Sequence, residues 1–255
     1  MFGFLDLGRK SSPVWLSPEP FGEQDLQTAT RQKGELRKIL LEAREKLKQH
    51  ALLHNLPWGL EHIRQIATYL KHCGLCPSND HLSLHRGDIA GYWPIGSELG
   101  LLPESQQSNG RATGVDKTKW WLPGIRQDKQ MDWFELCDET QSWPKDKRGL
   151  PIPPESVFKG LFPSKPDVPW LVLTPCLAAD RAGVRLGYGG GFYDRFLQKN
   201  NDNCLSVACV PASLFFEKGK LPADDHDFPV DMVVTENQVW VRDEHALEFK
   251  LKKFS

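Results

Sequence analysis

The chain carries no surplus of either charge: 32 Lys and Arg stand against 33 Asp and Glu, a net −1. Binding that relies on neutralising phosphates needs a basic excess, so a nucleic-acid partner is not expected. Long apolar runs are missing as well. Trp170-Leu171-Val172-Leu173 is among the longest, far short of the roughly 20 residues that span a bilayer, so no membrane partner is expected. The amino terminus, MFGFLDLGRK, shows no basic lead, long apolar stretch or small-residue cleavage site; no secretory leader is read there, and a cytoplasmic location is expected. Only six cysteines occur (Cys73, Cys76, Cys137, Cys176, Cys204 and Cys209). Without a leader they read as reduced thiols rather than a disulfide framework. No internal repeat and no low-complexity tract is present.

What is there is an ordinary globular composition, 40% hydrophobic and 25% charged over 255 residues, which excludes a disordered or fibrous chain. Gly (21) and Pro (19) together are roughly a sixth of the chain, above the average of about 12%, and imply long shaped loops. Residues 1–32 hold Pro13, Pro18, Pro20 and Gly22 without a sustained period, and read as an extended arm; 33–255 read as one α/β domain. Over 33–49, Leu36, Ile39, Leu40, Ala43 and Leu47 recur at helical spacing, with Lys33, Arg37, Arg44 and Lys48 on the other faces. A second helix is expected over 58–71. Candidate strands are 88–93, 119–122 and 131–136. Residues 101–118 mix a short helical stretch with a polar loop. Residues 141–169, with seven prolines, read as a long irregular connection. The strongest buried-strand signals are 170–174, 205–210 and 231–235. A helix over 190–199 between the first two makes a parallel βαβ unit.

The densest chemistry lies inside that unit: Arg185-Leu186-Gly187-Tyr188-Gly189-Gly190-Gly191-Phe192-Tyr193-Asp194-Arg195. Glycines let a backbone approach a ligand closely. They open a helix whose first N–H groups are unpaired and whose dipole favours an anion. Arg185 could fork onto phosphate oxygens. Asp194 could hold Mg²⁺ beside a polyphosphate or merely cap the helix. The spacing matches neither the Walker A pattern nor G-x-G-x-x-G.

The stretch LTPCLAADRAGVRLGYGGGFYDRFL resembles the signature of the 5-formyltetrahydrofolate cyclo-ligase family, also called methenyltetrahydrofolate synthetases. Further segments follow the family in order. Lys33-Gly34-Glu35-Leu36-Arg37-Lys38 is similar to its K-x-x-L-R helix, and Tyr92-Trp93-Pro94-Ile95-Gly96-Ser97-Glu98 to its Y-x-P-x-x-x-E segment. Trp121-Leu122-Pro123 and Met131-Asp132 fall on its middle strands. Leu221-Pro222, His226-Asp227, Val230-Asp231 and Val234-Thr235-Glu236 are similar to its closing motif. The likeness covers about residues 33–236. Departures are Cys176-Leu177-Ala178-Ala179-Asp180 where the family has G-L-A-F-D, and Ile152-Pro153-Pro154-Glu155 in place of I-P-E-P, with Trp143 as a substitute for an aromatic near the folate.

The resemblance implies a doubly wound, mostly parallel Rossmann-like sheet with helices on both faces, as in isomerases and CoA transferases. It implies a small-molecule substrate, 5-formyltetrahydrofolate, converted to 5,10-methenyltetrahydrofolate by a monomer with ATP and Mg²⁺. The formyl oxygen is phosphorylated, nitrogen 10 attacks the formyl carbon, and phosphate leaves. Carried over to this sequence, Lys33, Arg37 and the loop Arg185, Leu186, Gly187, Tyr188, Gly189, Gly190, Gly191, Phe192 and Tyr193 bind ATP. Arg185, Tyr193 and Asp194 act in catalysis; Asp194 and Asp227 hold Mg²⁺; Trp93, Glu98, Tyr188 and Phe192 bind the folate. A non-catalytic relative that binds folate or nucleotide is the alternative.

One rival pattern is Cys73-x₂-Cys76-x₄-His81-x₃-His85. The ligand types suit zinc. The middle gap is short beside the roughly twelve residues of zinc fingers, and the stretch reads as a loop with exposed histidines.

Overall fold

A computed structural model describes residues 33–54, 59–73, 88–102, 119–126, 130–158 and 170–252. The expected arm, Cys76, His81, His85, and the 103–118 and 159–169 connections lie outside these. Helix α1 is Lys33–Leu53, longer than its periodic stretch, and α2 is Leu60–His72. Strands β1 (Ile89–Ala90), β2 (Trp120–Ile125) and β3 (Met131–Glu135) follow, then β4 (Trp170–Thr174), β5 (Ala178–Asp180) and β6 (Arg185–Leu186). Helix α3 (Phe192–Asn200) leads to β7 (Cys204–Cys209), β8 (Phe215–Phe216), β9 (Met232–Val234), β10 (Val239–Val241) and α4 (Glu244–Lys252).

Among the described residues the main sheet has seven strands in the order β10-β9-β7-β4-β1-β2-β3. Its five central strands are parallel and both edge strands antiparallel. Adjacent side chains on a strand face opposite ways, so the sheet feeds two cores. Leu171, Leu173, Leu205, Val207, Met232 and Val234 meet Ile66 and Leu70 of α2 and Leu247 of α4 on one face. Val172, Ala208 and Val233 meet Phe196 and Leu197 of α3 on the other. The βαβ unit is present: β4 and β7 pair in parallel with α3 between them. The fold is therefore the doubly wound α/β architecture with helices on both faces.

A second, three-stranded sheet, β6-β5-β8, has no counterpart among the candidate strands of the sequence. Leu177, Ala178 and Leu186 pack there against Leu36, Leu40 and Leu47, seating α1. Its hairpin is set by buried Asp180, whose Oδ1 accepts the Ala182 and Val184 N–H groups at 2.8 and 3.1 Å. This Asx turn aims β6, and with it Arg185, back toward the sheet. Among the described residues no helix is long and apolar enough to cross a membrane.

Candidate functional site

In parallel α/β sheets ligands bind beyond the carboxyl ends of the strands, where strand order reverses. Here β2 lies on one side of β1 and β4 on the other. The segment after β1 contains Trp93 and Glu98; the segment after β4 leads through β5 and β6 to the glycine loop. The switch point thus lies between the two regions that the sequence motifs single out.

The glycine loop enters α3 at Gly191, the N-cap residue, with φ +62° and no side-chain cap. Gly189 has φ +97°, and a Cβ there would stand 3.4 Å from the Arg37 guanidinium. These positive φ values disfavour other residues. They explain why the helix begins at Phe192 and not at 190. Asp194 lies in the first turn of α3, and its carboxylate is engaged by partners outside the helix. Its Oδ1 accepts Arg185 Nη2 at 2.8 Å and the Phe228 N–H at 3.2 Å. Arg185 is buried, and its Nε has no partner among the described residues. The guanidinium also lies 5.8 Å from the Tyr193 ring, whose hydroxyl is buried without a partner among the described residues. Arg195 stacks over Phe192 at 5.0 Å.

Helix α1 brings one cation to this loop and a second to the segment holding Asp224 and Asp227. Arg37 Nε donates to the Gly187 carbonyl at 2.9 Å. Lys33, one turn earlier, pairs with Asp224 at 2.6 Å and Asp227 at 2.5 Å. Partial burial works against the Lys33 charge, but bonds to both carboxylates raise its pKa on balance. Partial burial likewise opposes the Asp227 charge, yet Lys33 and the Asp224 N–H hold its carboxyl below the usual range. Asp224, His226 and Asp227 lie within 4.8 Å of one another, a group that does not include Asp194.

Glu98 marks the other end. It is 4% exposed, and its Oε2 accepts the Ile95 N–H at 2.7 Å. Burial pushes its carboxyl above the ordinary value, against the Ile95 N–H, the nearby Arg44 charge and a hydrogen bond from Tyr188. Tyr188 itself is 44% exposed and therefore reachable from solvent. Trp93 is half-buried and packs on the core cluster, as does Trp143, whose ring lies 5.1 Å from Phe134.

Two groups stand apart from the sequence expectations. Arg44, expected on a polar face of α1, is fully buried; it falls four residues after Leu40 and three before Leu47, on the apolar stripe, and that spacing is the available signal. The second is the pair of buried His62 and Glu236, 3.6 Å apart, with Glu236 just beyond the end of β9. The five described cysteines are free thiols.

Comparison with known proteins supplies the family. The model of the 5-formyltetrahydrofolate cyclo-ligase family matches residues 99–236. A 5-formyltetrahydrofolate cyclo-ligase of Escherichia coli K12 is 41% identical over 71 residues, 28% of this chain and 38% of that protein. One from Mycolicibacterium smegmatis is 32% identical over 108 residues, 35% of this chain and 55% of that protein. These matches thus span between about two fifths and just over half of those relatives. Two solved structures share the fold. A 5,10-methenyltetrahydrofolate synthetase of Aquifex aeolicus aligns with TM-score 0.56 at 24% identity, covering 83% of this chain and 93% of its own. That of Mycoplasma pneumoniae gives 0.51 at 18%, covering 80% and 99%.

Proposed function

This chain belongs to the 5-formyltetrahydrofolate cyclo-ligase family, and on that premise we propose that residues 33–255 form one catalytic domain converting 5-formyltetrahydrofolate to 5,10-methenyltetrahydrofolate, with ATP cleaved to ADP and phosphate. The observation that carries this reading is the convergence of Arg37 and Arg185 on one glycine loop at a helix N-terminus, with the Glu98 turn across the switch point.

An amide oxygen is a poor leaving group, so the chemistry calls for phosphorylating the formyl oxygen, ring closure by nitrogen 10 on the formyl carbon, and departure of that oxygen as phosphate. What the protein must supply is then positioning and charge neutralisation. Backbone N–H groups of Leu186 to Tyr193, with Lys33, Arg37 and Arg185, would cradle the triphosphate. The loop suits this role, since it is exposed at residues 188–190 and Arg185 keeps a buried donor beside it that has no partner among the described residues. Asp194 and Asp227 offer the hard oxygen donors that suit Mg²⁺. When bound, Mg²⁺ supplies neutralisation of the charge on the phosphoryl group. Glu98 and Tyr188 would orient the pterin and formyl end, with Trp93 and Phe192 lining it. The same reading has the chain working in the cytoplasm as a monomer.

The deciding experiment adds 5-formyltetrahydrofolate to protein with ATP and Mg²⁺ and follows the near-ultraviolet absorbance of the methenyl product together with ADP. Formation of both, lost in excess chelator, is expected. Nucleotide binding without ADP release would leave a non-catalytic binding relative and overturn the reading.

A further inference from the structure

Arg44 is among the largest fully enclosed side chains described. Its neighbours on α1, Leu40, Ala43 and Leu47, are apolar and offer no counter-charge. The guanidinium instead reaches two carbonyls of different loops. Nε donates to Ser97 O at 2.9 Å, and Nη1 to Cys176 O. Nη2 is buried without a partner among the described residues.

Those two carbonyls flank the switch point. Ser97 belongs to the turn after β1 that ends in Glu98, and Cys176 to the segment after β4 that leads to the glycine loop. Desolvating a cation costs stability that an apolar side chain of the same volume does not, so packing alone does not account for an arginine here. An apolar side chain cannot fork onto two carbonyls or offset the charge of Glu98. We propose that Arg44 is a positioning residue, which locks the Glu98 turn against the segment after β4 so that the folate end of the site keeps its register with the nucleotide end. Arg44 does not touch substrate in this role. The names of the two ends rest on the function proposed above; the lock itself does not. The glycine loop has its own ties, Arg37 to Gly187 and Arg185 to Asp194, so losing Arg44 is felt first at Glu98.

The test compares Arg44→Met and Arg44→Lys with Leu40→Ala, an equally buried position on the same helix. Amide hydrogen exchange reads the Glu98 N–H, which bonds Ile95 O at 3.0 Å; steady-state kinetics read both substrates. Losing a charged hydrogen bond predicts about tenfold or more faster Glu98 exchange and about tenfold higher KM for folate in the methionine variant, with the KM for ATP within about twofold. Lysine, a point charge without the fork, is expected to recover part of each. Leu40→Ala lowers the melting temperature without selecting Glu98 or folate. Should Arg44→Met change neither readout more than Leu40→Ala does, Arg44 is structural only and the proposal falls. If the methionine variant does not fold, Arg44→Lys carries the same comparison. A parent protein that does not turn over defeats the functional reading alone, because the exchange measurement still decides the lock.

Discussion

Arg185 and Asp194, nine residues apart, close the glycine loop from within through a 2.8 Å ion pair whose side chains are 4% and 16% exposed. The same Asp194 oxygen takes the Phe228 N–H. One carboxylate therefore anchors the loop, the first turn of α3 and the segment holding Asp224 and Asp227.

Replacing Asp194 with Asn tests that anchor. Asn keeps the shape and a carbonyl for Phe228 but strands the Arg185 charge. Breaking such a pair by removing one partner is expected to cost about 3 kcal/mol. Turnover should fall about a hundredfold or more while folate binding persists, because the lost carboxylate would hold the Mg²⁺ and fix the Arg185 guanidinium that neutralise charge at the phosphoryl end. Denaturant unfolding, turnover and calorimetric titration with folate measure the three. Full activity in Asp194→Asn would remove Asp194 from the chemistry.

Lys33 gives a complementary expectation. Its ammonium bonds both Asp224 and Asp227, one helical turn before the Arg37 that braces the glycine loop. Lys33→Met should raise the KM for ATP about ten- to hundredfold and leave that for folate near its parent value. The penalty should shrink as ionic strength rises, since side chains at 18% and 19% exposure are partly screened. Equal changes in both KM values would show that Lys33 only seats α1.

Much of this arrangement is legible in the sequence, and the reasons differ by element. Strands β4, β7 and β9 are short apolar runs between polar or turn residues, a pattern that survives any packing. The βαβ unit and its glycine loop follow from their order. Strands β5, β6 and β8 are two or three residues long, too short to carry a period of two, and so the small sheet that seats α1 leaves no signal. Strand β10 and α4 likewise have no counterpart among the expected elements. The bond between Lys33 and Asp227 spans 194 residues; no local pattern encodes it, and only the family resemblance assigns both to one site. Arg44 reads as a polar-face residue when its charge is weighed above its position in the stripe.

His62 and Glu236 carry a prediction about pH. His62 Nε2 lies 2.9 Å from Val210 O, while both Glu236 oxygens accept the Ala212 N–H. Burial pushes His62 down to about 4 and Glu236 up to about 7. Between pH 4.5 and 6.5, their ordinary values, the unfolded chain keeps one proton on the histidine and the folded chain keeps one on the carboxyl. The count is equal, so the pair adds no slope there. Glu236→Gln leaves the depressed histidine alone, and stability relative to the parent is lost as pH falls from 6.5 toward 4. His62→Gln leaves the raised carboxyl alone; its stability is full below 4.5 and lost as pH rises toward 7. Denaturant unfolding across this range should give opposite slopes of up to about 1.4 kcal/mol per pH unit. Slopes of the same sign would refute independent burial of the two groups.

Glu98 joins function and stability in opposite directions. Its carboxylate is enclosed between the Ile95 N–H, Tyr188 and the Arg44 charge. Glu98→Gln keeps an oxygen for Ile95 and removes the charge. At pH 7.5 the dissociation constant for folate should rise about ten- to hundredfold, the scale of a lost charged hydrogen bond, with that for ATP within about twofold. Burial raises the Glu98 carboxyl above its ordinary 4.5, so the parent protonates early as pH drops. The two proteins should then converge in folate affinity as pH falls toward 4.5, because the parent side chain reaches the neutral state that Gln has at every pH sooner than an ordinary carboxyl would. Stability runs the other way. A raised carboxyl contributes stability that is present below 4.5 and lost as pH rises through its folded value, so Glu98→Gln should be the more stable protein at pH 8 and lose that advantage as pH falls toward 4.5. Titration calorimetry and thermal unfolding across this pH range check the pair of outcomes. Unchanged folate affinity at pH 7.5 would take Glu98 out of the pocket, and a gain in stability without it would reduce Glu98 to a strained buried acid.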